Sequence, residues 1–222
     1  MTEIIIRNKG FLKTLDDTLE RFLEHEVLMT ELSTSLQSDP IGDGEKYCQP
    51  PHLYEMLERQ EEHVGFPEEG YGFQVSHGAK MRPDIFEPLK LHTKNELVRL
   101  FGANNNSLTS YYPPKGFVGW HTNWNAYGYQ MILTWSRSGD GYFTYYDKLR
   151  DDFIKHEDKA GWQARWYRFG RKDEPDHHCW HAAWTECPRF TLAFKFPYGQ
   201  MTEKNDQAFD AIQDLIWEIE NE

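Results

Sequence analysis

Two residues with metal-binding atoms, His121 and Asn123, are separated by one residue at the end of the segment YYPPKGFVGWHTN, residues 111–123. If this segment is a β-strand, residues i and i+2 face the same side, so an imidazole nitrogen and an amide oxygen can approach one ion. A lone His-x-Asn pair on a strand is more often a simple hydrogen-bonded pair than a metal site. The pair therefore indicates a metal site only if further ligands exist elsewhere in the chain.

Further candidate groups follow in the second half of the sequence. His181 lies 60 residues after His121, at the end of a predicted strand, and Arg189 follows it by eight residues. Two histidines and one oxygen ligand form the facial triad of non-haem Fe(II) oxygenases, which leaves coordination positions open. In RFTLAFKF, residues 189–196, strand alternation places Arg189 and Thr191 on one face, where a guanidinium and a hydroxyl suit a carboxylate. The opposite face carries Phe190, Leu192 and Phe194.

This ordered series resembles the Fe(II)/2-oxoglutarate-dependent dioxygenases with a double-stranded β-helix fold, which include prolyl-hydroxylase-like and AlkB-like groups. The family pattern is His-x-Asp, a distal His, and an Arg followed by a small hydroxyl residue. This chain has His121-Thr-Asn123, His181 and Arg189-Phe-Thr191 in that order. The turn before Gly-Trp-His121 and the segment SGDGYFTYYD, residues 138–147, are also similar to family features, and the resemblance covers residues 108–196.

The resemblance implies an oxygenase that uses Fe(II), 2-oxoglutarate as co-substrate, and O2. It implies that iron is held by His121, Asn123 and His181. It also implies that the far carboxylate of 2-oxoglutarate meets Tyr112, Arg189 and Thr191. The iron and its co-substrate supply the oxidation, while the protein positions the substrate.

The distal histidine has neighbours that compete with it. His178 is the alternative to His181, which is preferred because its distance to Arg189 fits the family pattern. The run HHCWH, residues 177–181, also suggests a Cys/His zinc site, but no second Cys/His pair has the spacing of a structural zinc site. The more distant His52, His63 and His156 are expected to face solvent.

Asn123 departs from the family pattern, in which this position is an Asp. A neutral amide oxygen is expected to bind Fe(II) less tightly than a carboxylate, and three outcomes follow. The chain is a working enzyme with a weak metal site, a two-His site completed by water or substrate, or a non-catalytic binding module that has kept the fold. A cupin-like non-oxygenase on the same fold ranks last, because it would supply more His ligands on these strands. Trp120, Trp124 and Tyr127 are either core or rim aromatics or stack on a flat substrate.

The elements that must position these groups change character near residue 108. Earlier segments show helical periodicity at residues 12–36, 53–60 and 87–101, with loops at 65–76 and 81–83, and the last helix lies after residue 199. Strands are predicted at residues 108–112, 119–121, 129–135, 141–146, 162–169, 177–181 and 189–196. We therefore expect one mainly β domain with flanking helices (α+β). A helical and loop support region at 1–106 precedes a double-stranded β-helix (jelly-roll) core at 107–198 and a C-terminal helix at 199–222.

Composition limits the classes of partner. The chain has 222 residues and a net charge of −12, which argues against duplex nucleic acid and anionic membranes as partners. The three cysteines lack CxxC spacing, and the first residues lack a signal-peptide pattern, so a cytoplasmic, soluble protein is expected. A small molecule or a protein side chain is the expected substrate. The charged segment at 148–159 and the helices before residue 108 are expected to border the mouth of the barrel.

Overall fold

The computed structural model describes residues 3–35, 43–59, 67, 69–196 and 207–221. Its strands are β1 (Glu3–Ile4), β2 (Thr34–Ser35), β3 (Gly70–Gln74), β4 (Asn105–Tyr112), β5 (Phe117–His121), β6 (Gly128–Ser136), β7 (Gly141–Asp147), β8 (Asp152–Glu157), β9 (Gly161–Phe169), β10 (Trp180–Thr185) and β11 (Arg189–Lys195). Its α-helices are α1 (Lys9–Leu23), α2 (Glu26–Glu31), α3 (Pro50–Glu58), α4 (Val75–Met81), α5 (Pro83–Leu91), α6 (Val98–Leu100) and α7 (Gln207–Glu220). A π-helical stretch, His92–Leu97, joins α5 to α6.

The eight strands from β4 to β11 form two antiparallel layers. One layer has the order β9-β6-β11-β4 and the other has the order β8-β7-β10-β5. The chain crosses repeatedly from one layer to the other, which is the strand order of a jelly roll. The strand β1 extends the first layer, and β3 pairs with both β4 and β5 and so joins the two layers along one side. The predicted mainly β fold with a double-stranded β-helix core is confirmed.

Strand alternation divides the residues of β11 between two environments. Phe190, Leu192 and Phe194 are fully buried in an apolar cluster with side chains of α1, α5 and α7. Arg189 and Thr191 lie on the opposite face, between the two layers. Because the helices cover the outer face of the first layer, the polar face of β11 can only point into the barrel.

The helices on this outer face are amphipathic, as their periodicity predicts. In α1, Asn8 caps the helix by accepting a hydrogen bond from the Phe11 backbone N–H at 3.0 Å. Leu15 and Phe22 of the same helix are fully buried. The second layer is covered on its outside by α3, whose Leu53 packs with Trp120 and Phe117. Both sheets are therefore sandwiched between helices and the barrel interior.

Several predicted elements have different bounds in the structure. Residues 70–74 and 152–157 were expected in loops but form β3 and β8, and residues 75–81 form α4. The strand expected at 177–181 is wrong: residues 175–177 form a 3-10 turn, and β10 begins at Trp180, so His181 starts a strand instead of ending one. Predictions for residues 36–42, 60–66, 68 and 197–206, including the position of His63, lie outside the described residues.

None of the helices in the described part of the chain combines the length and the apolar character needed to span a bilayer.

Candidate functional site

A cavity of about 250 Å³ opens between the two layers of the barrel. Its wall includes the six predicted site residues Tyr112, His121, Asn123, His181, Arg189 and Thr191. The rest of the wall combines apolar side chains such as Val118, Phe143 and Phe169 with uncharged polar ones such as Gln74 and Asn125. The fold thus brings the six predicted site residues, which are up to 79 positions apart in sequence, into one space of small-molecule size.

His121 and His181 face each other across adjacent strands. They are paired in the register of β5 and β10, and their ring centroids are 4.1 Å apart. The His121 Nδ1 lies 2.9 Å from the Gly119 carbonyl oxygen, and the His181 Nδ1 lies 2.8 Å from the Cys179 carbonyl oxygen. Donation from Nδ1 to these carbonyls leaves the lone pair of each neutral ring on Nε2, which is the arrangement that a metal-binding imidazole requires.

Burial keeps His181 in the neutral form. Removal from solvent lowers its pKa to about 4, against the smaller opposing effect of its hydrogen bond to Cys179. At neutral pH the ring therefore retains an unprotonated nitrogen. A metal ion would therefore not have to displace a proton from this ring nitrogen.

Asn123 reaches the two histidines by a route that the sequence pattern did not predict. The strand β5 ends at His121, and Asn123 precedes a 3-10 turn with φ −120° and ψ 35°, so strand alternation does not explain why it shares their space. Its Nδ2 lies 3.2 Å from the His181 Nε2 and donates a hydrogen bond to it. A rotation of the amide by 180° brings Oδ1 to the same point. The three side chains converge and supply two imidazole nitrogens and one amide.

Arg189 is held in place by a carboxylate that sequence reasoning missed. Its Nε donates to the Asp158 Oδ2 at 2.9 Å, and the two side chains are only 4% and 0% exposed. Its Nη1 donates to the Thr191 Oγ1 at 3.0 Å, which agrees with the predicted pairing of these two residues. Asp158 lies in the turn between β8 and β9, and no feature of the segment KHEDKAG distinguishes it from its acidic neighbours.

Tyr112 completes this end of the cavity. The Arg189 guanidinium lies over its ring at 5.8 Å from the centroid, and burial raises the pKa of the Tyr112 hydroxyl. The hydroxyl is therefore a proton donor at neutral pH, suited to a carboxylate oxygen.

A second group of polar residues on β9 was also missed. Gln163 donates to the Asp158 Oδ1 at 3.0 Å and accepts from the Arg165 Nη1 at 3.2 Å. The sequence GWQARWYRF, residues 161–169, contains a strand alternation that could have predicted these residues. One face carries Gln163, Arg165 and Tyr167, and the other carries Trp162, Ala164 and Trp166. The tryptophans and Ala164 pack against the helices, so the polar set faces the barrel interior.

Other candidate residues lie outside the cavity wall. The His178 Nε2 is 2.8 Å from the Arg171 carbonyl oxygen, and neither it nor the segment at 148–159 lines the cavity. Trp120 is fully buried and donates to the Gln49 carbonyl, while Lys172 lies over the ring of Trp124. Among the described residues, no three His, Cys, Asp or Glu side chains form a group that could hold a metal, so the zinc alternative has no support.

His156 is not solvent-facing, contrary to expectation. It lies on β8 with its ring 5.8 Å from that of Tyr145, and its Nε2 is enclosed with no hydrogen-bond partner in the described structure. Burial, followed by the charge of Arg165, lowers its pKa. The three cysteines are buried and free.

Comparison with known proteins gives only distant likenesses. No family model and no curated protein sequence matches the chain. A Pseudomonas putida prolyl-4-hydroxylase aligns at 10% identity and a TM-score of 0.34, covering 74% of this chain and 91% of that one. A 2OG-Fe(II) oxygenase family oxidoreductase from Burkholderia pseudomallei aligns at 10% and 0.34, covering 80% and 89%.

A Drosophila melanogaster CENP-C structure, bound to CAL1, aligns at 7% identity and a TM-score of 0.28. The alignment covers 40% of this chain and spans 62% of the length of that one. Likeness at this level carries no argument about function.

Proposed function

We propose that this protein is an Fe(II)- and 2-oxoglutarate-dependent oxygenase that hydroxylates a small metabolite or a protein side chain. The observation that carries the proposal is the convergence of His121, His181 and Asn123 in the wall of a cavity that the buried Arg189 also lines. A nitrogen-rich donor set suits iron, and a planar guanidinium suits a carboxylate. Both halves of an iron and 2-oxo acid site are thereby available in one space.

The residues present fit the metal and the co-substrate. His121 and His181 would hold the iron through Nε2, and Asn123 would add a neutral oxygen after rotation of its amide. When bound, iron and 2-oxoglutarate supply the oxidising power for attack on a C–H bond. Arg189, Thr191 and Tyr112 would receive the far carboxylate, with Asp158 fixing the direction of the guanidinium.

The remaining wall determines what the site excludes. Val118, Phe143 and Phe169 provide a dry surface that limits access of water to the reacting atoms. The wall also carries the exposed Asn125 and the buried Gln130. Gln130 donates to the Ala126 carbonyl, accepts from the Ser107 hydroxyl and so anchors the turn that follows Asn123. The uncharged amide of Asn125 favours a neutral polar substrate.

A second candidate function follows from the contact between Asn123 and His181. The amide N–H donates to the imidazole at 3.2 Å, so the ring nitrogen has a partner within the chain. A barrel of this kind is stable without a metal and can act as a non-catalytic binding module. The acidic net charge argues against duplex nucleic acid as a partner in either case.

The test is metal binding followed by turnover. We expect Mn(II) to bind the wild-type protein in calorimetry, and Fe(II) with 2-oxoglutarate and O2 to yield succinate. His181→Ala should abolish both, whereas His178→Ala, a neighbouring histidine outside the cavity, should leave both intact. Wild-type protein that binds no Mn(II) or Fe(II), or that binds it equally well without His181, contradicts the oxygenase proposal. Metal binding without any succinate leaves the binding module as the better description.

A further inference from the structure

Arg165 is a second arginine inside the barrel, and the oxygenase proposal does not use it. It lies on β9 and is 7% exposed. Its Nη1 donates to Gln163 at 3.2 Å, while its Nε is enclosed and has no hydrogen-bond partner within the described structure. A buried guanidinium N–H without an acceptor is costly, and such groups usually mark a place where a water or an ion binds.

The nearby carboxylates are already engaged by other groups. Asp158 accepts from Arg189 on one oxygen and from Gln163 on the other. Glu3, on the strand that pairs with β9, forms an ion pair with Lys159. Arg165 is linked to Asp158 only through Gln163, and its charge helps to lower the pKa of Glu3 without a direct ion pair between them. Arg165 therefore has no directly contacting carboxylate among the described residues, and an anion would provide one.

The space beside Arg165 is small and adjoins the main cavity. A gap of about 10 Å³, close to the volume needed for one water-sized group, is lined by Ile132, Thr134, Phe143, Arg165, Tyr167 and Arg189. Three of these residues, Ile132, Phe143 and Arg189, also line the main cavity. A ligand that lies in the main cavity can therefore extend one oxygen atom past Arg189 towards Arg165.

We propose that Arg165 is a second carboxylate-binding residue. One oxygen of a ligand carboxylate is held by Arg189 and Thr191, and the other enters the small gap and accepts from Arg165. Two guanidiniums on different strands then clamp one carboxylate, and Gln163 and Asp158 hold the two arginines apart. The assignment rests on the proposed function for the identity of the ligand, a 2-oxo dicarboxylate, but the carboxylate subsite itself needs no metal.

The main comparison is between 2-oxoglutarate and 2-oxobutyrate, which differ only in the far carboxylate. Binding of both is measured by calorimetry with Mn(II) present. Binding of succinate, a dicarboxylate without the 2-oxo group, is measured separately without metal. We expect wild-type protein to prefer 2-oxoglutarate, and Arg165→Gln to reduce that preference by at least about tenfold, since a hydrogen bond to a charged group is lost. Arg165→Lys keeps the charge but not the planar guanidinium, so its preference for 2-oxoglutarate should lie between those of the wild type and Arg165→Gln. Arg150→Gln removes the same charge from an exposed turn and should change nothing.

Mn(II) affinity measured alone separates the two proposals. It should be equal in wild type and Arg165→Gln, because Arg165 does not touch the histidine pair. One outcome supports the carboxylate subsite and contradicts the oxygenase proposal: the protein binds no metal, yet it binds succinate and loses that binding in Arg165→Gln. An unchanged ligand preference in both folded Arg165 variants, or a wild-type protein that binds no dicarboxylate, overturns the subsite and leaves the gap to a water molecule.

Discussion

At Asn123 a neutral amide lies beside the two imidazoles and donates a hydrogen bond to one of them, His181. Both histidines are tied to backbone carbonyls through Nδ1, so their direction does not depend on Asn123. The amide adds an oxygen but no charge, and in its present orientation it donates to His181. On the proposed function, residue 123 is the position that sets the charge of the ligand set.

Asn123→Asp should tighten Mn(II) binding by at least about tenfold, or about 1.4 kcal/mol, because an anionic ligand adds Coulomb attraction in a buried site. Calorimetric titration measures the change. Asn125→Asp is the matched control, since it adds the same charge to the wall of the same cavity. If both variants tighten binding equally, the effect is one of overall charge, and Asn123 is not a ligand.

At the scale of elements, the turn between β4 and β5 sets the positions of Tyr112 and His121. Lys115 adopts a left-handed backbone with φ 67°. A Cβ on Gly116 would lie 2.7 Å from the Pro113 carbonyl oxygen and 2.8 Å from the Tyr112 Cβ. The PPKG turn thus packs directly against Tyr112, a residue of the cavity wall. Only glycine fits at position 116, because any Cβ would overlap these atoms.

Gly116→Ala should lower the free energy of unfolding by about 1–3 kcal/mol, because overpacking forces the backbone near Tyr112 to move. It should also weaken 2-oxoglutarate binding. Lys115→Gly is the control in the same turn: relief of left-handed strain offsets the greater freedom of the unfolded chain and the loss of the exposed ion pair with Glu186, so stability should stay within about 1 kcal/mol. Urea unfolding measures both. A fully stable Gly116→Ala protein with wild-type ligand affinity would show that this turn does not position the site.

At the scale of the whole molecule, closing the barrel places titratable groups in its interior. His156, on the edge strand β8, is partly buried and has a lowered pKa because of burial and the nearby Arg165. The unfolded chain takes up a proton at this residue near its ordinary pKa of 6.5, while the folded protein resists protonation. Folding stability should therefore fall as pH drops below about 6.5.

His156→Gln should reduce the loss of stability between pH 7.5 and 5.5, because glutamine takes up no proton in either state. The difference between the two proteins should stay below about 1 kcal/mol, since solvent partly screens the ring. Urea unfolding at the two pH values gives the comparison. His77→Gln, at an exposed position on α4, should leave the pH dependence unchanged. Equal pH dependence in wild type and His156→Gln would mean that the folded protein protonates His156 normally.

The sequence by itself determined those strands in which apolar and polar residues alternate strongly, and it determined which residues of these strands face the barrel interior. In β11 the apolar and polar faces are unambiguous, because burying Phe190, Leu192 and Phe194 against helices forces Arg189 and Thr191 inward. The edge strand β8, rich in charged residues, and the glycine-rich β3 lack that signal, since each depends on pairing with distant segments.

The tertiary structure alone decided which groups meet inside the barrel. Asp158 contacts the cavity residue Arg189, and Arg165 lines the small gap beside it, because distant segments pack together there; no local pattern records these contacts. Asn123 approaches the histidines through a turn that follows the strand. Its spacing from His121 correctly suggested that the two side chains lie close together, but strand alternation is not the cause. Local periodicity reports which face of a strand is buried, whereas the partners of a buried charge are set by how distant segments pack.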